Sequence, residues 1–455
     1  MQRVGLKNSI AVRTAAALVL ALILMWALPR GALAQPAARR LTFAELASAV
    51  MQNNLQLRAT AMEVAVAEAQ LAQARVGRQP QVVASGSYSR VQQQPGQTIS
   101  FPNPFGPTPP VISFTLPSPD PNIFAARLAL QLPLYTGGRL EAQVALAEAN
   151  LRGARAVFAR AQQQVLFTAQ QLYLQSLLGQ ETVTAAQRAL AQATESLRVA
   201  NARVTAGAVP QFDVLQAQVA VANAEQGVIR ARTSVAAAQT GLNATLGLSQ
   251  DTPLELADTL EPRAVPGTMQ EAIARGLRDR PELAELAARS AAAQAGIDLA
   301  VSGGRPNVVA GAGYDVGNAS GMATSISGAW SVSLGVTLSL YDGGITRERI
   351  REAQLRLEQL KILGAQTRQQ VELEIRQAWL GLDQAVGELA AATKAVEQGR
   401  EAARLAGVRY QAGVGTQLEL LSAQATLAQA ELGLASARFN QNLARIRVIL
   451  AAGSI

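Results

Sequence analysis

The chain contains neither cysteine nor histidine. Without cysteine there is no disulfide, no thiol nucleophile and no amino-terminal Cys to carry a lipid. Without either residue a zinc site of the usual kind cannot form, and a triad that turns on an imidazole is excluded. No metal and no cofactor are expected. Lysine is scarce too, with only Lys361 and Lys394 beyond residue 34, and no glycine-rich phosphate loop ends in Lys-Ser/Thr. Charge of one sign is not in excess. Of 40 Lys+Arg, Arg3, Lys7, Arg13 and Arg30 lie in the amino-terminal segment, so 36 cations face 32 acids in the rest, scattered along it. A nucleic-acid footprint is therefore not expected. An enzyme built on carboxylates alone stays conceivable, but no segment reads as its pocket, and the chain is taken as a non-enzyme.

Proline is absent from two long stretches. None lies between Gly138 and Pro210, and none follows Gly344. Arg139 to Ala206 and Ile345 to Ala412 are each 68 residues, and a helix of that length runs roughly 100 Å. No compact domain houses such a helix. Long hydrophobic runs are missing as well, with one exception. Arg3, Lys7 and Arg13 precede the apolar stretch from Ala15 to Leu28, and Ala32-Leu33-Ala34 follows as a small-x-small cleavage site. The stretch is shorter than the roughly 20 residues of a spanning helix. It reads as an export signal over residues 1–34, with the mature chain beginning near Gln35.

What is present is a duplication. Gly303-Gly304-Arg305-Pro306 restates Gly77-Arg78-Gln79-Pro80 after 226 positions, and Leu340-Tyr341-Asp342-Gly343-Gly344 restates Leu134-Tyr135-Thr136-Gly137-Gly138 after 206. Ala412-Gly413 repeats Ala206-Gly207 at the same offset of 206, so the first half carries about 20 extra residues between 90 and 134. Repeat 1 spans 35–248, residues 249–266 with Pro253, Pro262 and Pro266 read as a linker, and repeat 2 spans 267–455. Each half reads as helix, strand, loop, strand, very long helix, tight turn, helix. Strands are expected at about 81–90, 122–135, 307–316 and 328–341. The long helices are expected at 139–206 and 345–412, with return helices at 210–247 and 416–452. The second strand of repeat 2 alternates without a break: Trp330, Val332, Leu334, Val336, Leu338 and Leu340 against Ser331, Ser333, Gly335, Thr337 and Ser339. Residues 91–121 hold nine of the nineteen prolines and read as a stiff, hydrogen-bond-free cap between the strands of repeat 1.

Such alternation fits a half-buried soluble sheet or the wall of a membrane barrel, and helices of this length favour the latter in an exported chain. Four strands cannot close, because the smallest single-chain barrels have about eight. Open edges cannot face lipid, so a membrane barrel would be shared among copies. Three copies give twelve strands and two give eight, and closure alone does not choose between them.

Over both repeats the mature chain resembles the TolC family of outer membrane efflux ducts. Leu-Tyr-x-Gly-Gly at 134–138 and 340–344 carries the resemblance, with the turns Ala206-Gly207-Ala208-Val209-Pro210-Gln211-Phe212-Asp213-Val214-Leu215 and Tyr410-Gln411-Ala412-Gly413-Val414-Gly415-Thr416-Gln417-Leu418-Glu419-Leu420-Leu421. It implies a mostly α fold with a β-barrel part, in which two repeats each supply two transmembrane strands and long coiled-coil helices. A homotrimer then forms a 12-stranded barrel in outer membrane lipid and an α-helical barrel across the periplasm. The implied function is the passive outer channel of a tripartite efflux system, meeting a periplasmic adaptor and, through it, an inner-membrane pump. An outer component of type I protein secretion shares every one of these features. A soluble periplasmic coiled-coil protein would leave the Trp330–Leu340 stripe without a partner.

The resemblance also implies sites. Ala206, Gly207, Val209, Pro210, Leu215, Gly413, Gly415, Thr416 and Leu421 would form the adaptor-docking tip. Asp213, Tyr410, Glu419 and Ser422 would form the gate, Tyr410 holding the closed state by hydrogen bonding towards Asp213. Gly415 stands where the best-known member has a gate-locking Arg, and Ser422 replaces an acidic ring residue. Gly137, Gly138, Gly343 and Gly344 would be strand-to-helix hinges. Local chemistry accounts for part of this pattern unaided. Gly207 and Gly413 suit helix C′ positions, Pro210 suits the first turn of a helix, Thr416 and Glu419 have capping-box spacing, and Asp213 complements a helix N-terminus.

Overall fold

The computed structural model describes residues 39–92, 96–106, 110–115, 121–264, 267–318 and 326–454. The export signal expected at 1–34 lies outside them. The elements run β1 (Arg39–Leu41), α1 (Phe43–Asn53), α2 (Leu55–Val76), β2 (Gln81–Arg90), β3 (Thr98–Pro102), β4 (Val111–Thr115), β5 (Asn122–Tyr135), α3 (Arg139–Thr205) and α4 (Gln211–Thr245). They continue with β6 (Leu254–Leu256), α5 (Met269–Asp279), α6 (Pro281–Ser302), β7 (Asn307–Gly317), β8 (Ser327–Thr337), α7 (Ile345–Gln411) and α8 (Gln417–Ala451). The helices of the two halves match in length, 11, 22, 67 and 35 residues in turn. Among the described residues no helix is long and apolar enough to cross a membrane.

The single leading helix expected in each half is two helices. Pro281 opens α6 and lacks an N–H, and its ring pushes Arg280 out of helical geometry, to φ −66° and ψ 126°. The Arg280 guanidinium is nearly buried and fully engaged, with Nε donating to the Ala451 carbonyl at 2.9 Å and Nη2 at 2.7 Å from Glu374. Burial of an unpaired charge would be costly, so the break is held by its partners. In the first half Asn54 caps α2, its Oδ1 accepting from Leu57 N at 3.0 Å.

Strands β2, β5, β7 and β8 form one antiparallel sheet in that order. Its register sorts the side chains. Val82, Leu130, Ala312 and Val332 share one row, and Ala84, Leu128, Tyr314 and Trp330 the next. Between them on the other face run Val83, Ala129, Gly313 and Ser331. The apolar face is uncovered within the chain, with Trp330 77%, Val332 74% and Leu334 67% exposed. Tyr88 packs on Phe124 with ring centroids 4.9 Å apart, and its hydroxyl donates to Asn122 Oδ1 at 3.0 Å. Aromatic rings therefore gather at the end of the strands far from the glycine pairs. From Phe124 to Tyr135 the strand rises roughly 36 Å, which at the usual tilt spans about the 25 Å of a barrel's apolar band.

Two expectations are corrected here. Strand β8 ends at Thr337, short of 341. Thr337 pairs with Asn307, the first residue of β7, so Leu338–Tyr341 has no ladder partner among the described residues. The Pro-rich segment is not free of hydrogen bonds. β3 and β4 pair antiparallel from Thr98↔Thr115 to Pro102↔Val111. Ile99 and Phe101 face Phe114 and Ile112, and the alternate hydroxyls bond across, Ser100 to Ser113 at 2.9 Å. Cross-strand pairing of β-branched and aromatic residues outweighs the prolines, which lie at strand ends and beyond.

The chain divides into two compact units, the first holding residues up to 53, Ala169–Glu261 and Ala392–Phe439, the second the remainder. In the first unit the expected linker forms a strand: β6 pairs parallel with β1. Tyr173, fully buried, fastens that pair. Its hydroxyl is 2.7 Å from Asp258 Oδ2 and 3.1 Å from the Leu41 carbonyl, and the same Asp258 oxygen accepts from Phe43 N at 2.7 Å. Burial, then Asp258, pushes the Tyr173 phenol well above its usual range. The second unit buries Ala272, Val371, Ile375 and Ala452 together.

The alternation of faces is checked by labelling. Cysteine at Ser333 should react only with reagents small enough to enter a lumen, and cysteine at Val332 should be shielded by lipid. Equal labelling of both by a bulky aqueous reagent would contradict a barrel wall, and the absence of native cysteine removes background.

Candidate functional site

The strand-to-helix corners are built from glycine for a conformational reason. Gly137, Gly138, Gly343 and Gly344 have φ of 66°, 91°, 68° and 88°, a region that side chains strain to adopt. At Gly137 space forbids a side chain as well, since a Cβ would lie 2.7 Å from that of Arg305. The corners are closed differently in the two halves. Thr136 Oγ1 accepts from Leu140 N at 3.3 Å. Asp342, the equivalent residue, accepts from Gly344 N at 2.9 Å through Oδ1 and from Thr346 N at 2.8 Å through Oδ2. The Thr346 side chain and then its backbone hold the Asp342 carboxyl below the usual carboxylate range. A depressed carboxylate stabilises the folded state above its unfolded value and loses that contribution as pH falls through the folded value. Acid should therefore fray the start of α7 before the start of α3, read by amide exchange at residues 344–348 and 138–142. Equal fraying at both corners would refute the cap.

The tip lies in the first unit. Helix α3 ends in a Schellman motif, Ala208 N donating to the Arg203 carbonyl and Gly207 N to the Val204 carbonyl, each at 2.9 Å. Helix α7 ends in the same way, Val414 N to Arg409 and Gly413 N to Tyr410, each at 3.1 Å. Gly207 and Gly413 have φ of 69° and 77°. Pro210 stands one position outside the expected first turn. It is the N-cap of α4, in extended backbone at ψ 156°, and its carbonyl accepts from Asp213 N. The expected capping box is half formed: Glu419 N donates to Thr416 Oγ1 at 3.2 Å, while the Glu419 carboxylate turns to Arg409, Nε 3.9 Å away.

The buried centre of the tip is a polar chain. Tyr410, 3% exposed, donates to Gln417 Oε1 at 2.6 Å, and Gln417 Nε2 donates to the Asp213 carbonyl at 3.1 Å. The link from Tyr410 to Asp213 thus runs through Gln417 and ends on backbone, rather than reaching the carboxylate directly. Sequence reasoning missed Gln417. A signal was available: Gln211 stands at the equivalent position of the first turn, but there the residue matching Tyr410 is Val204, so only the second turn has a phenol for the amide to accept from. Arg203 completes the arrangement, its Cζ 4.4 Å from the Tyr410 ring centroid. Below it Ala200, Val214 and Ala217 pack with Leu197 and Val204.

The remaining tip residues are placed as follows. Ala206, Gly207, Pro210, Leu215, Gly413, Thr416, Glu419 and Ser422 are exposed, and Val209, Asp213, Gly415 and Leu421 are half-buried. A Cβ on Gly415 would lie 3.0 Å from that of Arg409, so the turn is tight there. Phe212, Val414 and Leu418 add exposed apolar surface, 62%, 68% and 67%. Among the described residues no group of His, Cys, Asp and Glu could hold a metal.

Replacing Gln417 by Ala leaves the buried Tyr410 hydroxyl without its acceptor, at a cost of about 1–3 kcal/mol. Channels of the Gln417→Ala and Tyr410→Phe variants should show raised conductance in planar bilayers. Wild-type conductance in both would remove the polar chain from any closing role.

A family model described as "outer membrane efflux protein" matches residues 46–248 and 272–454. Outer membrane efflux protein BepC of Brucella suis is 26% identical over 343 residues, 72% of this chain and 71% of BepC. Protein CyaE of Bordetella pertussis is 28% identical over 309 residues, 67% of this chain and 64% of CyaE, so the chain spans less than two thirds of that relative. The Campylobacter jejuni CmeC outer membrane channel superposes with a TM-score of 0.74 at 16% identity, covering 90% of this chain and 85% of CmeC. That likeness establishes the fold, a mostly helical chain with one four-stranded antiparallel sheet.

Proposed function

The chain belongs to the outer membrane efflux protein family, and from that premise we propose that it is the passive outer duct of a tripartite efflux assembly. Its compartment is the outer membrane. Three copies close a twelve-stranded barrel in lipid and extend it into the periplasm as a barrel of helices. A periplasmic adaptor docks on the two turns, and an inner-membrane pump supplies the cargo. The observation that carries this reading is the four-stranded sheet: its outer strands β2 and β8 each pair on one side only among the described residues, and its apolar face is uncovered.

An edge strand in lipid leaves N–H and C=O groups without partners, and each such group costs several kcal/mol. Pairing β8 of one copy with β2 of the next removes that cost and continues the antiparallel order. The docking surface in this reading is formed by Ala206, Gly207, Val209, Pro210 and Leu215 on the first turn and by Gly413, Gly415, Thr416 and Leu421 on the second. Exposed apolar side chains at Leu215 and Val414 suit a helical hairpin of the adaptor. Asp213, Tyr410, Glu419 and Ser422 serve the gate, with Gln417 joining the first two. The channel does no chemistry of its own, and the glycine corners serve as its strand-to-helix hinges.

Native mass measurement in detergent should give three copies of the mature chain. Gly413→Val, which forces a branched side chain to φ 77°, should keep that trimer and lose crosslinking to the adaptor. A stable monomer, or an adaptor that still crosslinks fully to the Gly413→Val protein, would contradict the respective half of the proposal.

A further inference from the structure

The sheet carries an ion pair on its polar face. Odd-numbered residues of β2, β5, β7 and β8 share that face, and among the described strand residues Arg127 and Asp315 are its only charged side chains. They stand directly opposite one another in the register, and Arg127 Nε lies 3.5 Å from Asp315 Oδ1. Both remain open to water, 60% and 51% exposed. Their row is completed by Ser85 and Ala329. Small residues surround the pair: Gly313, one step along β7, leaves room beside the guanidinium, where a Cβ would come 3.9 Å from Arg127 Nη2. A concavity of about 670 Å³ lies here, lined by Ser85, Arg127, Asp315 and Ala329 among others.

The row lies two residues from the β7 end at Gly317 and the β8 start at Ser327, near the middle of β2 and β5, next to the row of Tyr314 and Trp330. We propose that Arg127 and Asp315 form a charge-balanced ring in the lumen of the barrel, which keeps it from selecting ions by sign. The inference rests on the shared-barrel reading given above. Three copies repeat the row around the lumen, so the ring holds three cations and three anions in alternation. A barrel of twelve strands has a radius of roughly 12 Å, which leaves these charges about 10 Å or less from the axis. Paired, they cancel, and the lumen passes cations and anions with little preference. Cargo that carries both signs meets a complementary group in the same ring. Unpaired, three like charges at that distance act on every ion in transit, because the Debye length at 0.1 M salt is about 10 Å.

The test is the reversal potential of full-length channels in planar bilayers under a KCl gradient. Asp315→Asn unmasks the guanidinium and should shift the K⁺/Cl⁻ permeability ratio about two-fold towards chloride near 0.1 M salt. Arg127→Gln should shift it by a similar factor towards potassium, and the double variant should return to the wild-type ratio. Both shifts should fade near 1 M salt, where the Debye length is about 3 Å. A conducting wild type whose single variants keep its reversal potential would overturn the ring and leave the barrel standing; the pair would then only clamp β5 to β7, and the single variants would lose thermal stability instead. A wild type that forms no channel would overturn the barrel and the ring together.

Discussion

The structure turns on one requirement: a backbone N–H or C=O cannot be left unpaired in lipid. Among the described residues the four strands satisfy it on their inner ladders and leave it open at β2 and β8. Among its described residues an isolated chain therefore exposes Trp330, Val332 and Leu334 on one face and two strand edges without a ladder partner. Neither feature suits a soluble monomer. In the proposed assembly both are resolved by the same event, insertion of several copies into a membrane with their sheets joined edge to edge.

Much of this was legible in the sequence because period and punctuation agree. The proline-free stretch after Gly138 became α3, Arg139–Thr205, and the one after Gly344 became α7, Ile345–Gln411. Gly207 and Gly413 read as helix ends and adopt the positive φ that role demands. Misreadings arose where tertiary partners decide. The strand pattern of Trp330–Leu340 continues beyond the point where β7 can offer a partner, so the ladder stops at Thr337. Prolines in 91–121 hid a hairpin whose strands are only five residues each. Strand β6 was hidden for another reason: three residues with a distant parallel partner, fastened by Tyr173 and Asp258, leave no local period to read.

The tip shows how a duplication diverges into a device. Arg203 and Arg409 occupy equivalent positions, as do Gln211 and Gln417, and Asp213 and Glu419. In the second turn Arg409 approaches Glu419. In the first, Arg203 instead lies over Tyr410. The exchange of Val204 for Tyr410 redirects both the arginine and the glutamine towards one buried phenol, which joins the two turns through Gln417. Sequence comparison between halves could show that position 410 differs. It could not show that the amide, rather than the Asp213 carboxylate, receives the hydroxyl, because that depends on where α4 and α8 begin.

Closure between copies is the claim on which the rest depends, and strand-edge crosslinking tests it most directly. With no native cysteine, a cysteine at Ala329 on β8 can be combined in turn with cysteines along β2. Disulfides have a narrow geometric window, so only the true register should bridge. The account predicts that one register gives a covalent ladder of monomer, dimer and trimer that ends at the trimer, because a closed ring leaves no free edge. A ladder that runs on past the trimer, one that stops at the dimer, or no crosslink at any register would contradict it.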